Sequence, residues 1–136
     1  MPKRDAVVLD THALLWWQAA SNRLSRAARQ RIERSDAVLL SPISCWEIAM
    51  LVEKDRVLLD RPVSVWINDL LATSITEIAD LTPMIAVAAG QLNDFHGDPA
   101  DRIIYATAAA HQLPLVSKDN QLRTFAKADR NVAVVW

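Results

Sequence analysis

Cysteine is nearly absent from this chain. Cys45 stands alone among 136 residues, which excludes an internal disulfide framework and a cysteine-rich zinc site and fits a reducing compartment. Excess charge is absent too. A formal net charge of −1 gives no global pull toward nucleic acid, so a polyanion would have to be held by a local patch or through a bound cation. No uncharged run reaches the length of a membrane span, and the start, Met1-Pro2-Lys3-Arg4-Asp5, is followed by only four apolar residues before Asp10. Repeats, low-complexity tracts and linkers are lacking as well. The expectation is a cytoplasmic protein with no membrane segment.

What is present is 51% hydrophobic and 23% charged residues, the make-up of an ordinary globular chain and enough for one domain over residues 1–136 with a substantial core. Ala6-Val7-Val8-Leu9, Ala37-Val38-Leu39-Leu40 and Pro114-Leu115-Val116-Ser117 are short apolar runs of the kind that form central strands of a parallel sheet. Further extended segments are expected at 57–59, 75–79 and 131–136. Between them fall helical patterns at 13–20, 25–34, 45–53, 63–71 and 84–92, a short helix at 122–126, and, after Arg102, a helix apolar on nearly every face and therefore buried. In the second of these helices Arg23, Arg26, Arg29, Arg31 and Arg34 occupy the faces away from the Leu24, Ala28 and Ile32 line, either as a solvated surface or as a phosphate-contacting one.

Four acids fall within about one helical turn of a junction leading into a helix: Asp10, Glu47, Asp101 and Asp119. Each has a plain structural alternative. Asp10 and Asp119 can cap the helices that follow, Ser44 and Glu47 can form a capping box, and Asp98-Pro99 with Asp101 makes a good helix start. In a parallel sheet with right-handed crossovers, however, such junctions converge on one edge. Carboxylates gathered there repel one another unless a cation neutralises them, and hard oxygen ligands favour Mg²⁺ or Mn²⁺ over zinc. His12, His96 and His111 lack a zinc-binding pattern and are read as caps or surface groups.

At these residues the chain resembles a PIN domain and, within that group, a VapC-type toxin ribonuclease. The resemblance is carried by Val8-Leu9-Asp10-Thr11, Ser44-Cys45-Trp46-Glu47-Ile48-Ala49, Asp98-Pro99-Ala100-Asp101-Arg102 and Ser117-Lys118-Asp119, four short motifs in order over nearly the whole chain. It implies a three-layer α/β/α fold with a mainly parallel central sheet. It also implies a metal-dependent endoribonuclease paired with an antitoxin, in which Asp10, Asp101 and Asp119 hold one or two Mg²⁺ ions, Glu47 completes the site, and Asp98 caps a helix or stands in the outer shell. Met50-Leu51-Val52 departs from the lysine-containing continuation common in the family, and Ala100 stands where a bulky aromatic is frequent.

Two other readings use the same residues. A phosphohydrolase of the haloacid-dehalogenase type would take Asp10 as nucleophile but needs an acid two residues on, where His12 stands. A receiver-like binding module needs an acidic pair after the first strand, where Asp10 is a single acid. Adjacent Trp16 and Trp17, about 100° apart on one helix, are too much for one core. The resemblance implies that, with Leu14, Leu15 and Trp46, they line a groove for an amphipathic antitoxin segment, and that the same or another apolar face supports a homodimer.

Overall fold

Strand β1, Ala6–Leu9, is buried along its whole length, because a central parallel strand is covered on both faces and needs no polar alternate. In the computed structural model, which describes residues 4–73, 75–95 and 97–136, it is followed by α1 (Thr11–Gln18), α2 (Arg26–Glu33), β2 (Ala37–Leu40), α3 (Pro42–Glu53), α4 (Val63–Leu71), β3 (Thr76–Ile78), α5 (Pro83–Gly90), α6 (Pro99–His111), β4 (Leu115–Val116), α7 (Asn120–Asp129) and β5 (Val134–Val135). The five strands form one parallel sheet in the order β3-β2-β1-β4-β5. The chain adds strands outward from β1 to β3, then returns past β1 to lay down β4 and β5. The topological switch point therefore lies between β1 and β4, where ligands of open α/β sheets collect.

Side chains of alternate strand residues feed two cores. Val8, Leu39 and Leu115 pack with Ile104, Tyr105 and Ala108 of α6 and Leu122 of α7. Val7, Leu9, Val38, Leu40 and Val116 pack with Leu14 of α1, Ala28 and Ile32 of α2, Ile48 of α3 and Leu70 of α4. This is the expected three-layer α/β/α arrangement, and each fully buried aliphatic contributes about 1.5–3 kcal/mol relative to exposure. Helix α6 is buried from Ile104 to Ala108, as its apolar sequence predicts. Among the described residues every buried side-chain nitrogen and oxygen has a hydrogen-bond partner, and no helix is long and apolar enough to cross a membrane.

Several boundaries differ from the sequence reading. Helix α3 starts three residues early, with Ser41 as its cap (its hydroxyl accepts from the Ile43 N–H at 3.2 Å) and Pro42 in the first turn, where its missing donor costs nothing. Ser44 is thus a buried helical residue rather than a cap, and Glu47 lies beyond the first turn, so no capping box forms. Helix α1 stops at Gln18, α5 ends at Gly90, and α7 runs on to Asp129, where Arg130 takes a left-handed conformation. Val57–Leu59 forms no strand, and β5 is limited to the two residues that pair with the short β4.

Candidate active site at the carboxyl edge of the sheet

Register brings the first two acids together. Leu9 pairs with Val116, and the Asp10 N–H donates to the Val116 carbonyl at 3.1 Å, so the chain leaving β1 runs beside the chain leaving β4. Asp10 caps α1, its Oδ1 accepting the Ala13 N–H at 2.8 Å. Asp119 caps α7, its Oδ1 accepting the Leu122 N–H at 3.0 Å, while its own N–H donates to Ser117 Oγ at 3.1 Å. Asp98 caps α6, its Oδ1 accepting the Asp101 N–H at 2.8 Å. Capping is therefore real for all three, yet it engages Oδ1 of each carboxylate and leaves Oδ2 for other partners. Asp101 lies in the first turn of α6 without being its cap.

Glu47 comes from α3 and is held by a side chain of α1. Thr11 Oγ1 lies 2.5 Å from Glu47 Oε1 and 3.1 Å from Ser44 Oγ, so residues from the first motif orient the acid of the second. Asp10, Glu47, Asp98, Asp101 and Asp119 all line one cleft of about 580 Å³, with Thr11, His12, Trp16, Arg23, Lys118 and Asn120. The four acids predicted from sequence, and the fifth flanking them, are brought together.

Their electrostatics follow from that gathering. Burial pushes the Asp10 carboxyl up, opposed by hydrogen bonds from Ser117 and the Ala13 N–H and by His12, and reinforced by Asp119. Glu47 is raised by burial, opposed by Thr11, with Asp98 and Asp10 adding repulsion. Asp101 is pushed up to about 7, by burial first and then by Asp98, Asp119, Glu47 and Asp10. Such mutual repulsion is what a bound cation relieves. Among the described residues no three His, Cys, Asp or Glu side chains close into a tight metal cage. The donors nonetheless suit Mg²⁺: all are hard oxygens on the walls of one cleft, and Mg²⁺ commonly keeps several waters and takes only one or two carboxylates directly.

A PIN-domain family model matches residues 7–129. The chain belongs to the PIN-domain family. Over 119 residues this PIN domain is 44% identical to Ribonuclease VapC22 of Mycobacterium tuberculosis, covering 87% of the chain and 90% of that protein. It is similar in structure to a toxin-antitoxin complex from Klebsiella pneumoniae, with a TM-score of 0.63 at 20% identity over 93% of this chain and 95% of that one. VapBC2 from Rickettsia felis, solved bound to a DNA fragment from their promoter, gives a TM-score of 0.66 at 17% identity over 95% and 96% of the two chains. At those identities the two structures bear on the fold.

Five cleft residues of this PIN domain, Thr11, His12, Arg23, Lys118 and Asn120, were not read from sequence as part of the site. Lys118 Nζ sits 5.7 Å from the centroid of the Trp16 ring, and Trp16 in turn packs against His12 and Trp136, each at 5.7 Å between centroids. Arg23 is the member of the arginine-rich segment that reaches the cleft, whereas Arg31 pairs with Asp5 at 2.8 Å and Arg29 donates to the Ser21 carbonyl at 3.0 Å. Asn120 follows Asp119 into α7. The signal for Lys118 was its place beside a strand-end acid; for Arg23 there was none beyond its charge. His12 and His111 are exposed, as expected of surface groups, and His96 lies outside the described residues.

Proposed function

We propose that this PIN domain is a Mg²⁺-dependent endoribonuclease, with Mn²⁺ as a substitute, acting as the toxin of a toxin-antitoxin pair. One observation carries the reading: acids from four separated chain segments face one cleft and raise one another's proton affinity. The 44% identity to a protein named a ribonuclease supports the choice of RNA. Asp10, Asp101 and Asp119, with Glu47, would hold the ion. Bound there, the metal supplies a water of lowered pKa and neutralises charge on the phosphate. Thr11 and Ser44 fix the Glu47 carboxylate, and Ser117 with the α1 backbone fixes Asp10, so neither must reorganise as charge develops. Arg23 and Lys118 offer the phosphate positive partners on walls that are otherwise acidic. In-line attack by water needs no covalent link to the protein.

The partner surface differs in detail from the sequence expectation. Leu14 is buried, and Trp16 and Trp17 are both half-buried against the core, so α1 has little apolar surface left to offer. Trp46, beside Glu47, is 58% exposed. We assign the antitoxin segment to the α3 face around Trp46, from which a basic side chain could reach the acids. A homodimer would use α5, which is apolar all round and leaves Met84 and Val87 exposed.

The test is cleavage of RNA by the purified chain with Mg²⁺ or Mn²⁺. Activity should vanish with chelator and in folded Asp10→Asn; equal cutting by wild type and variant in chelator would overturn the metal mechanism.

A further inference from the structure

Beside the acidic cleft lies a larger open cavity, about 780 Å³, within the range of ligand sites, about 300–1,000 Å³. Asn120 lines both spaces. The start of α7 is thus the partition between them, with Asp119 on the cleft side and Gln121, Thr124 and Phe125 on the other.

The opposite wall is the loop from Gln91 to Phe95, and it is firmly held. Arg102, the residue after Asp101, donates its guanidinium N–H groups to the carbonyls of Ala89 at 3.0 Å, Gly90 at 3.2 Å, Leu92 at 3.0 Å and Phe95 at 2.5 Å. The Phe95 ring is buried and packs 5.0 Å from Phe125 between centroids. A Cβ at Gly97 would run into that ring, so glycine there lets the loop fold over it.

The walls combine an aromatic floor with an amide rim. Asn93, Asn120 and Gln121 each carry both a donor and an acceptor, the pairing that reads the edges of unstacked bases, while Phe125 supplies an aromatic surface of the kind on which they stack. No Lys or Arg lines the cavity among the described residues, and Asp94 and Asp129 do. A phosphate is therefore disfavoured, and a neutral, flat group bearing amino donors is suited.

We propose that this cavity receives an unpaired nucleobase of the RNA strand, flanking the phosphate held at the acids, and so sets the sequence preference of cleavage. The inference rests on the ribonuclease reading above. An antitoxin side chain is the competing occupant, but the amide rim and the shared wall with the cleft favour the substrate.

The test compares wild type with Asn93→Ala, Gln121→Ala and the cavity-filling Thr124→Trp, all at exposed positions. Each is given a randomised single-stranded RNA pool with Mn²⁺, and the cut ends are sequenced. Wild type should prefer one base at a position flanking the cut, and the two alanine variants should flatten that preference while still cutting. Thr124→Trp should lower kcat/KM about tenfold on the preferred sequence and leave it nearly unchanged when that position is abasic. A wild type that cuts no RNA sinks the ribonuclease reading, and the base site with it. A wild type that cuts without preference, or variants that keep both its rate and its preference, sink the base site alone, whether or not they weaken antitoxin binding.

Discussion

Thr11 and Glu47 are joined by a 2.5 Å hydrogen bond that ties the first turn of α1 to α3. Thr11 has a single hydroxyl proton, and when Glu47 is ionised that proton goes to the carboxylate, so the buried Ser44 hydroxyl donates in turn to Thr11. The pair orients an acid that its own helix would leave free to rotate. Thr11→Val should therefore lower cleavage about 10–100-fold, the range for groups that position metal ligands. It should also cost about 1–3 kcal/mol of stability, because Ser44 loses its partner in the interior. Metal-dependent cleavage and chemical denaturation check the two effects; undiminished activity would show that Glu47 needs no orienting group.

Asp101 makes the site sensitive to pH. Its carboxyl titrates near 7 in the folded protein, against 3.8 ordinarily, so the folded state binds this proton more tightly than the unfolded chain does. The resulting stabilisation is full below about pH 4 and is lost as pH rises through about 7 in metal-free buffer. Asp101→Asn carries no charge to repel its neighbours, so at about pH 8 without metal it should melt at or above wild type. Mg²⁺ should raise the melting temperature of wild type more than that of the variant, and bind wild type more tightly at pH 8 than at about pH 6. Asp98→Ala gives the contrast: loss of a cap should cost about 0.5–2 kcal/mol with metal bound, and less in chelator, where the change also removes repulsion on Asp101 and Glu47. An Asp101→Asn protein that melts below wild type in chelator would remove the repulsion account.

Arg102 is a structural clasp. Its contacts with four carbonyls at the end of α5 and in the following loop depend on a planar fork that lysine cannot reproduce. Arg102→Lys should cost about 2–4 kcal/mol. The same change should speed amide hydrogen exchange in residues 91–95 far more than in β1. Uniform exchange across both segments would mean that the loop is held by something else.

Much of the site was legible because acids at the ends of apolar runs have few places to go. Asp10 and Asp119 follow buried strands that turn out to flank the switch point, and Asp101 opens a helix too apolar to lie at the surface. Local rules failed where two signals competed within a few residues. Ser44 reads as the helix start, but Ser41-Pro42 three residues before it is the pair that acts, because Pro42 has no N–H to leave unpaired in a first turn. Long-range packing was out of reach altogether. Trp16 and Trp17 read as surplus, yet Trp136, at the far end of the chain, covers Trp16 and leaves Lys118 above it. Nothing local marks Arg102 as the anchor of a loop ten residues before it.

The partner surfaces separate into two faces with opposite expectations. Trp46 is exposed on α3, next to an acid of the cleft, whereas Met84 and Val87 are exposed on α5, which packs against α6 on the other side of the sheet. An antitoxin segment seated at Trp46 would place a basic residue among the acids proposed to hold the cation, so complex formation and Mg²⁺ should compete. Trp46→Ser should weaken antitoxin binding about tenfold or more, as removal of a large aromatic anchor does, while leaving the self-association of the chain unchanged. Met84→Glu should do the reverse: it should abolish the dimer proposed on α5, read by sedimentation equilibrium, and leave antitoxin affinity within about twofold. Titration of the complex with Mg²⁺ supplies the independent readout, since competition raises the apparent Kd of the antitoxin in proportion to metal concentration. Antitoxin affinity that ignores both Trp46→Ser and Mg²⁺ would move the partner away from α3 and end the competition model.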